Sequence, residues 1–177
     1  MTRLIDGLLQ ELEQEAQTTR RVLERVPQGH LAWKPHDKSR TLGQLALHIA
    51  TVPGGVAQLA ASRSPAQVPG FADDPSPKNV SELIPALDES IAKAKNALGG
   101  MDDAALTGTW RLMNGERELF AIPRVAFIRS VMLNHWYHHR GQLLVYLRMH
   151  NVPLPSVYGP TADENPFMLQ EAGARAS

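Results

Sequence analysis

Apolar residues recur at alternating intervals of three and four in four stretches of the chain, and this spacing limits the fold more than any other feature. The stretches run from Ile5 to Val26, from Leu42 to Leu59, from Ile84 to Leu98 and from Val125 to Met149. Such spacing puts the apolar side chains on one face of an α-helix. The sequence therefore predicts an all-α fold, a four-helix bundle around one core.

The predicted second helix has a clear start and a weak point. Thr41 and Gln44 have the spacing of a capping box, which marks a helix N-terminus. Further along, Pro53 has no amide hydrogen, so the carbonyl of Ile49 loses its usual helical partner. A kink or a break is therefore expected near Pro53.

The connections between the predicted helices are long. Residues 27–38 and 62–78 contain glycine, proline and polar residues without periodicity, which indicates surface crossovers and allows threading other than simple up-and-down. Between the third and fourth helices, Asn114 and Gly115 are the preferred central pair of a type I′ turn and predict a short β-hairpin. Residues 1–177 are expected to form a single domain, with about 154–177 an irregular tail packed on the bundle.

The composition excludes several classes of partner and chemistry. Lysine plus arginine and aspartate plus glutamate number 18 each, so no net field would attract nucleic acid or an anionic membrane. The chain has no cysteine, which excludes disulfides and thiolate ligands. No signal peptide and no apolar run of membrane-spanning length are present, so a cytoplasmic protein is expected.

Three of the seven histidines lie on or beside the predicted apolar faces. His135 and His139 are four residues apart on the last helix, so both side chains leave the same face one turn apart. His48 lies beside Ile49 on the second helix. A buried imidazole without a partner costs about 1–3 kcal/mol, and three of them could bind one divalent metal ion with positions left for water or substrate.

The sequence also allows other assignments of these residues. Each histidine could instead be a hydrogen-bonded core residue, and His138 could replace His139 as a ligand because it also lies one turn from His135. Gln142 shares the inner face and could orient a ligating ring or a bound water. His30, His36 and His150 lie in a connection or at a helix end and are expected to stay outside the site. No catalytic residue and no organic cofactor can be named.

The segment Asn134-His-Trp-Tyr-His-His-Arg-Gly-Gln142, followed by Tyr146-Leu-Arg148, Val152-Pro153 and Tyr158-Gly159-Pro160, resembles the DinB-like family. Trp33-Lys-Pro35 and the stretch from Thr41 to Ile49 are similar to its second-helix motif. This is the damage-inducible family, distinct from the DNA polymerase of the same name. The resemblance implies a helical bundle with long crossovers that is often dimeric. It also implies a three-histidine site for nickel, zinc or a similar ion at His48, His135 and His139.

The resemblance also suggests an activity. The best understood relatives are thiol S-transferases that use bacillithiol or mycothiol, and an isomerase that depends on mycothiol. By analogy, this chain is expected to be a metal-dependent enzyme that activates a thiol or a water, like a thiol S-transferase or a hydrolase. A homodimer acting on a small-molecule thiol or electrophile is expected. The alternatives are a metal-binding or stress-related interaction protein without turnover, and a helical dimer without metal.

Overall fold

The computed structural model describes residues 3–70 and 75–168, which are mostly helical with one small sheet. The helices are α1 (Leu4–Leu23), α2 (Leu42–Ala61), α3 (Leu83–Leu98), α4 (Asp103–Thr107), α5 (Arg124–Phe127) and α6 (His135–Met149). The strands are β1 (Ala66–Gln67), β2 (Thr109–Asn114) and β3 (Arg117–Pro123). Short 3₁₀ turns lie at Gln28–His30 and Val80–Glu82.

The predicted count of four helices is not confirmed, because the described residues form six α-helices. One addition is α4, a short helix before the sheet, where the Asp102 carboxylate accepts a hydrogen bond from the amide of Ala105 at 2.7 Å. The predicted last helix is also divided, since the segment Ile128–Asn134 between α5 and α6 is π-helical. Helical backbone nevertheless runs without a gap from 124 to 149.

The π-helical segment changes which side of the last helix faces the core. Among the buried residues of this stretch, one row has a spacing of four: Ile128, Met132, Trp136 and Arg140. A π-helix closes hydrogen bonds over five residues instead of four, so the buried face shifts around the axis. Beyond Met132 the predicted stripe is correct only at His139, which is buried: His135 and Tyr146 are half-buried, whereas Gln142 and Met149 are exposed.

Helix α2 begins as predicted and continues through its proline. The Thr41 hydroxyl accepts a hydrogen bond from the amide of Gln44 at 3.1 Å, and the Gln44 side chain accepts one from the amide of Thr41 at 2.9 Å. The helix continues unbroken through Pro53 to Ala61. Beyond the proline, the amide of Gly54 donates to the Ser90 hydroxyl of α3 at 2.8 Å. A Cβ at Gly54 would meet the Ser90 carbonyl oxygen at 2.8 Å, so glycine permits this close approach.

The predicted hairpin is present, with its turn one residue further along than expected. Asn114 pairs with Arg117, which leaves Gly115 and Glu116 in the turn. Gly115 has φ +58°, whereas Glu116 does not have a positive φ. A type I′ turn needs a positive φ at both central residues, so the predicted turn type was wrong. Strand β1, which no sequence pattern predicted, pairs parallel with β2 and completes a sheet of order β1-β2-β3.

The core lies between α1, α2, α3 and the last helical stretch, and it contains a buried ion pair. The Arg140 guanidinium donates to the Glu15 carboxylate of α1 at 2.6 Å and to the Thr19 hydroxyl at 3.0 Å. The Tyr158 hydroxyl, from the stretch that follows α6, donates to the same carboxylate at 2.9 Å. This network links α1, α6 and residues 154–168. Residues 169–177 of the predicted tail lie outside the described residues.

Within residues 3–70 and 75–168, none of the helices combines the length and the hydropathy that a membrane span requires.

We expect Glu15→Ala to lower the free energy of unfolding by about 3–5 kcal/mol, because Arg140 would stay buried without its carboxylate. Urea denaturation followed by circular dichroism measures this loss. The matched control is Glu13→Ala on the same helix, since Glu13 pairs with Lys95 and both side chains are about half exposed. That variant should lose less than about 1 kcal/mol. Equal losses in the two variants would contradict a stabilising role for the buried pair.

Candidate metal centre

Three histidines from two helices converge at one point of the structure. His48 extends from α2, and His135 and His139 extend from α6. One ring nitrogen from each lies within 4.8 Å of the other two. The Nε2 atoms of His48 and His135 are 3.4 Å apart. His139 is buried and the other two rings are half-buried, so the group lies at the edge of the core.

A hydrogen bond beside this group aligns the two helices. The indole nitrogen of Trp136 donates to the carbonyl oxygen of Ile49 at 2.8 Å, and both residues are fully buried. Because Pro53 has no amide hydrogen, this carbonyl lacks the partner that it would usually have four residues further along the helix. Trp136 follows His135 in the chain and Ile49 follows His48. The bond therefore fixes the rotation and height of α6 against α2 where the histidines meet.

Two of the three rings are held by a hydrogen bond on the side away from the group. His139 Nδ1 lies 2.7 Å from Oε1 of Gln142. An amide oxygen can only accept, so Nδ1 carries the proton and Nε2 keeps its lone pair. The His135 ring hydrogen-bonds with the backbone of Val131, and because its Nε2 faces His48, Nδ1 is the nitrogen left for that bond. Metal-binding histidines are oriented in the same way in other proteins.

The surroundings favour neutral imidazoles. Burial is the main cause that lowers the pKa of His139 to about 4. The hydrogen bond with Gln142 opposes this shift, and the nearby His135, Arg40 and His138 lower the pKa further. Burial is also the main cause that lowers the pKa of His135, and Arg40 and His138 again contribute. Both rings are therefore neutral at pH 7. Only a neutral imidazole has the lone pair that a metal ion needs.

The donor set fits a divalent ion, and so does the spacing of one pair of its nitrogens. Two nitrogen ligands at about 2.0–2.1 Å from a tetrahedral zinc ion lie about 3.3–3.4 Å apart, and the two Nε2 atoms of His48 and His135 are 3.4 Å apart. The group contains imidazole nitrogen and no carboxylate, which suits zinc, nickel, copper and iron. Three protein ligands leave at least one coordination position for another molecule. The described geometry could therefore hold a metal ion.

The remaining histidines lie elsewhere. His138 is exposed and is not a member of the converging group, although its ring lies 5.1 Å from that of His139. His30 and His150 stack on each other, with ring centroids 4.1 Å apart. His36 is exposed and accepts a hydrogen bond from the amide of Lys38.

A cavity of about 450 Å³ opens beside His139. Its lining includes Lys38, Ser39 and Arg40, which sequence reasoning did not connect with the site. They immediately precede Thr41, the residue that caps the helix bearing His48. Their position next to the predicted start of α2 was the sequence signal that could have identified these residues. Their distance from α6, however, depends on how the loop packs. The volume of the cavity suits a small molecule.

The sequence model of the DinB superfamily matches residues 11–143, a span that contains all three histidines. The chain belongs to the DinB superfamily. Three solved DinB structures share its fold. A DinB-like protein from Bacillus cereus ATCC 10987 has a TM-score of 0.70 and 24% identity, and covers 89% of this chain and 100% of its own.

The other two DinB structures are more distant in sequence. A DinB-like protein from Bacillus subtilis has a TM-score of 0.61 and 17% identity, over 90% of this chain and 99% of its own. A putative DinB family member from Exiguobacterium sibiricum 255-15 has a TM-score of 0.57 and 19% identity, over 84% of this chain and 95% of its own. A search of curated proteins finds no match. At these identities, the three structures support the fold alone.

We expect Trp136→Phe to lower the free energy of unfolding by about 1–3 kcal/mol more than Trp110→Phe does, because it leaves a buried carbonyl without a donor. Trp110 is equally buried, but its acceptor, the carbonyl of Ser62, keeps a second donor in Arg124 at 3.0 Å. Urea denaturation compares the two. Adding Pro53→Ala to Trp136→Phe should recover part of the loss, because the new amide can bond the carbonyl of Ile49. Equal losses in the two single variants would contradict this role.

We expect Gln142→Ala to weaken the affinity for zinc by about 10-fold, because His139 would lose the acceptor that holds its tautomer and orientation. Competition with a chromophoric chelator measures this affinity. Gln10→Ala, an exposed glutamine on α1, is the matched control and should leave it unchanged. Unchanged affinity in Gln142→Ala would show that the bond does not orient the ring for a metal.

Proposed function

We propose that this DinB protein binds one divalent ion, nickel or zinc, through His48, His135 and His139, and that it is a metal-dependent enzyme acting on a small molecule. The observation that carries the proposal is the convergence of three ring nitrogens within 4.8 Å beside a cavity. A histidine that is only a hydrogen-bonded core residue needs one partner. It does not require two further histidines at this distance. The expected activity resembles that of a thiol S-transferase or a hydrolase.

A divalent ion held by three imidazoles lowers the pKa of a thiol or a water that it binds, which makes a nucleophile at neutral pH. The chain's own residues supply the conditions for this chemistry. Gln142 holds the His139 ring in position, and the backbone of Val131 holds the His135 ring. The hydrogen bond from Trp136 to Ile49 holds α6 against α2. The cavity beside His139 gives a second molecule room to approach.

A metal-binding protein without turnover is the second candidate, and one observation favours it. Among the described residues that line the cavity, none is an aspartate or glutamate that could act as a general base. In that case the site would serve binding or a stress-related interaction. A homodimer and a cytoplasmic location remain predictions from the sequence and from the family resemblance.

The metal is tested by elemental analysis of protein purified without a nickel column. We expect close to one equivalent of nickel or zinc in the wild type and less than about a tenth in His48→Ala, since two imidazoles bind a divalent ion much more weakly than three. His138→Ala is the matched control and should keep its metal. Loss of metal in His138→Ala with retention in His139→Ala would reassign the third ligand. A wild type with no metal, whose thermal unfolding a chelator does not change, would overturn the proposal.

Turnover is tested by incubating metal-loaded and metal-free protein with low-molecular-weight thiols and an electrophile. Product formation by the loaded protein, and its absence in His48→Ala, would support an enzyme. Rates no higher than those of the free metal, across the thiols tested, would favour the binding protein.

A further inference from the structure

The side-chain amide of Gln142 has two hydrogen-bonding ends, and only one of them is used among the described residues. Its oxygen accepts from Nδ1 of His139 at 2.7 Å, whereas its NH₂ group has no acceptor among residues 3–70 and 75–168. We propose that this NH₂ group binds a carbonyl oxygen of the substrate, while the reacting group of the same molecule lies at the three histidines. The inference rests on the proposed function and adds the class of substrate to it.

Metal binding by His139 requires one orientation of this amide. A ring that binds an ion through Nε2 carries its proton on Nδ1, and the amide oxygen is the only acceptor that the Gln142 side chain can offer to it. In the reversed orientation the NH₂ group would donate to Nδ1, and the ring proton would lie on Nε2 and exclude the ion. The NH₂ group therefore turns to other partners in the same state of the ring that binds metal.

The cavity beside His139 connects this amide with the histidine group. Gln142 and His139 both line the cavity and are three residues apart on α6. Residues at this spacing lie on the same face of a helix, with a rise of about 4.5 Å along its axis. His139 also belongs to the converging group. A molecule in the cavity could therefore reach the histidines with one end and the amide with a group about one helical turn away.

A carbonyl oxygen is the complement of this NH₂ group. It has two lone pairs and no proton, so it can only accept. The amide of Gln142 is uncharged, so the hydrogen bond requires an acceptor and does not require a negative charge on the substrate. A buried or partly buried donor that gains such a partner discriminates against a molecule that lacks the acceptor. Gln142 would thus act in substrate specificity as well as in holding the His139 ring.

Two further side chains of the wall suit the carbon atoms between the two ends of such a molecule. Leu45 lines the cavity from α2 and is almost fully buried, so it offers an apolar surface. Tyr146 lines it from α6, one turn beyond Gln142, and is half-buried. The volume of about 450 Å³ leaves room for a short molecule of this kind.

The test uses the full chain saturated with cobalt(II) and two uncharged thiols as probes, methyl 3-mercaptopropionate and 1-butanethiol. Both can bind the ion through sulfur, but only the ester has a carbonyl oxygen, and neither has a further donor. The near-ultraviolet charge-transfer band of a cobalt-thiolate bond reports binding directly, without turnover. The ester preference is the ratio of the dissociation constant of 1-butanethiol to that of the ester. Loss of one neutral hydrogen bond should lower this ratio by about 2- to 10-fold.

Gln142→Glu separates the two functions of this side chain. Its carboxylate can still accept from His139, so cobalt binding should be retained, but it has no proton to donate to a carbonyl at neutral pH. The ester preference should therefore fall below that of the wild type by the factor given above. Gln10→Glu is the matched control, because it places the same substitution at an exposed glutamine of α1. It should keep both the cobalt affinity and the ester preference.

The possible failures are distinguishable. An ester preference that survives in Gln142→Glu, or that falls equally in Gln10→Glu, would overturn the carbonyl site and leave the metal centre intact. Loss of cobalt binding in Gln142→Glu alone would overturn the amide orientation on which the inference depends. The absence of a band with either thiol in the wild type would instead overturn the proposed thiol activation, and with it the inference that rests on it.

Discussion

The hydrogen bond from the Trp136 indole to the carbonyl of Ile49 sets the geometry on which the histidine group depends. Pro53 withholds the amide that would normally bond this carbonyl, and the indole takes its place at 2.8 Å in the core. Because the bond joins residues adjacent to His135 and His48, a rotation or slip of either helix that separated the rings would also strain this bond. The amide that is missing at Pro53 of α2 thus creates the point at which α2 and α6 are aligned.

The π-helical segment before α6 determines what the histidines face. It shifts the core-facing side to Trp136 and Arg140, so the rings lie at the edge of the core. On one side, packed side chains and the Arg140–Glu15 pair hold the helix. On the other, a cavity of about 450 Å³ lets a molecule reach His139. Rings in the centre of the core, as the simple periodicity predicted, would have been closed to any substrate.

Much of the fold was predictable because local patterns determine it. Helical backbone in the four stretches with three-four spacing, the Thr41 capping box and the hairpin between 109 and 123 all appear in the structure. The features that the sequence patterns did not predict have physical causes. A π-helix has no spacing signature that a three-four pattern detects, and two residues of β1 are too few to show alternation. The turn moved by one residue because strand pairing, with its shift between Leu112 and Met113, outweighed the preference of Asn114.

The sequence by itself determined which residues were candidates for a metal site. His48, His135 and His139 stood out because imidazoles beside apolar helix faces need partners, and the DinB resemblance selected His139 over His138. Only the tertiary structure decided that the ring nitrogen of His48 lies within 4.8 Å of those of His135 and His139, although His48 and His135 are 87 residues apart in the chain. It also decided that Arg40 and Lys38 line the adjoining cavity. The reason is that spacing along a helix fixes a side chain's direction, whereas its neighbours depend on how helices and loops pack.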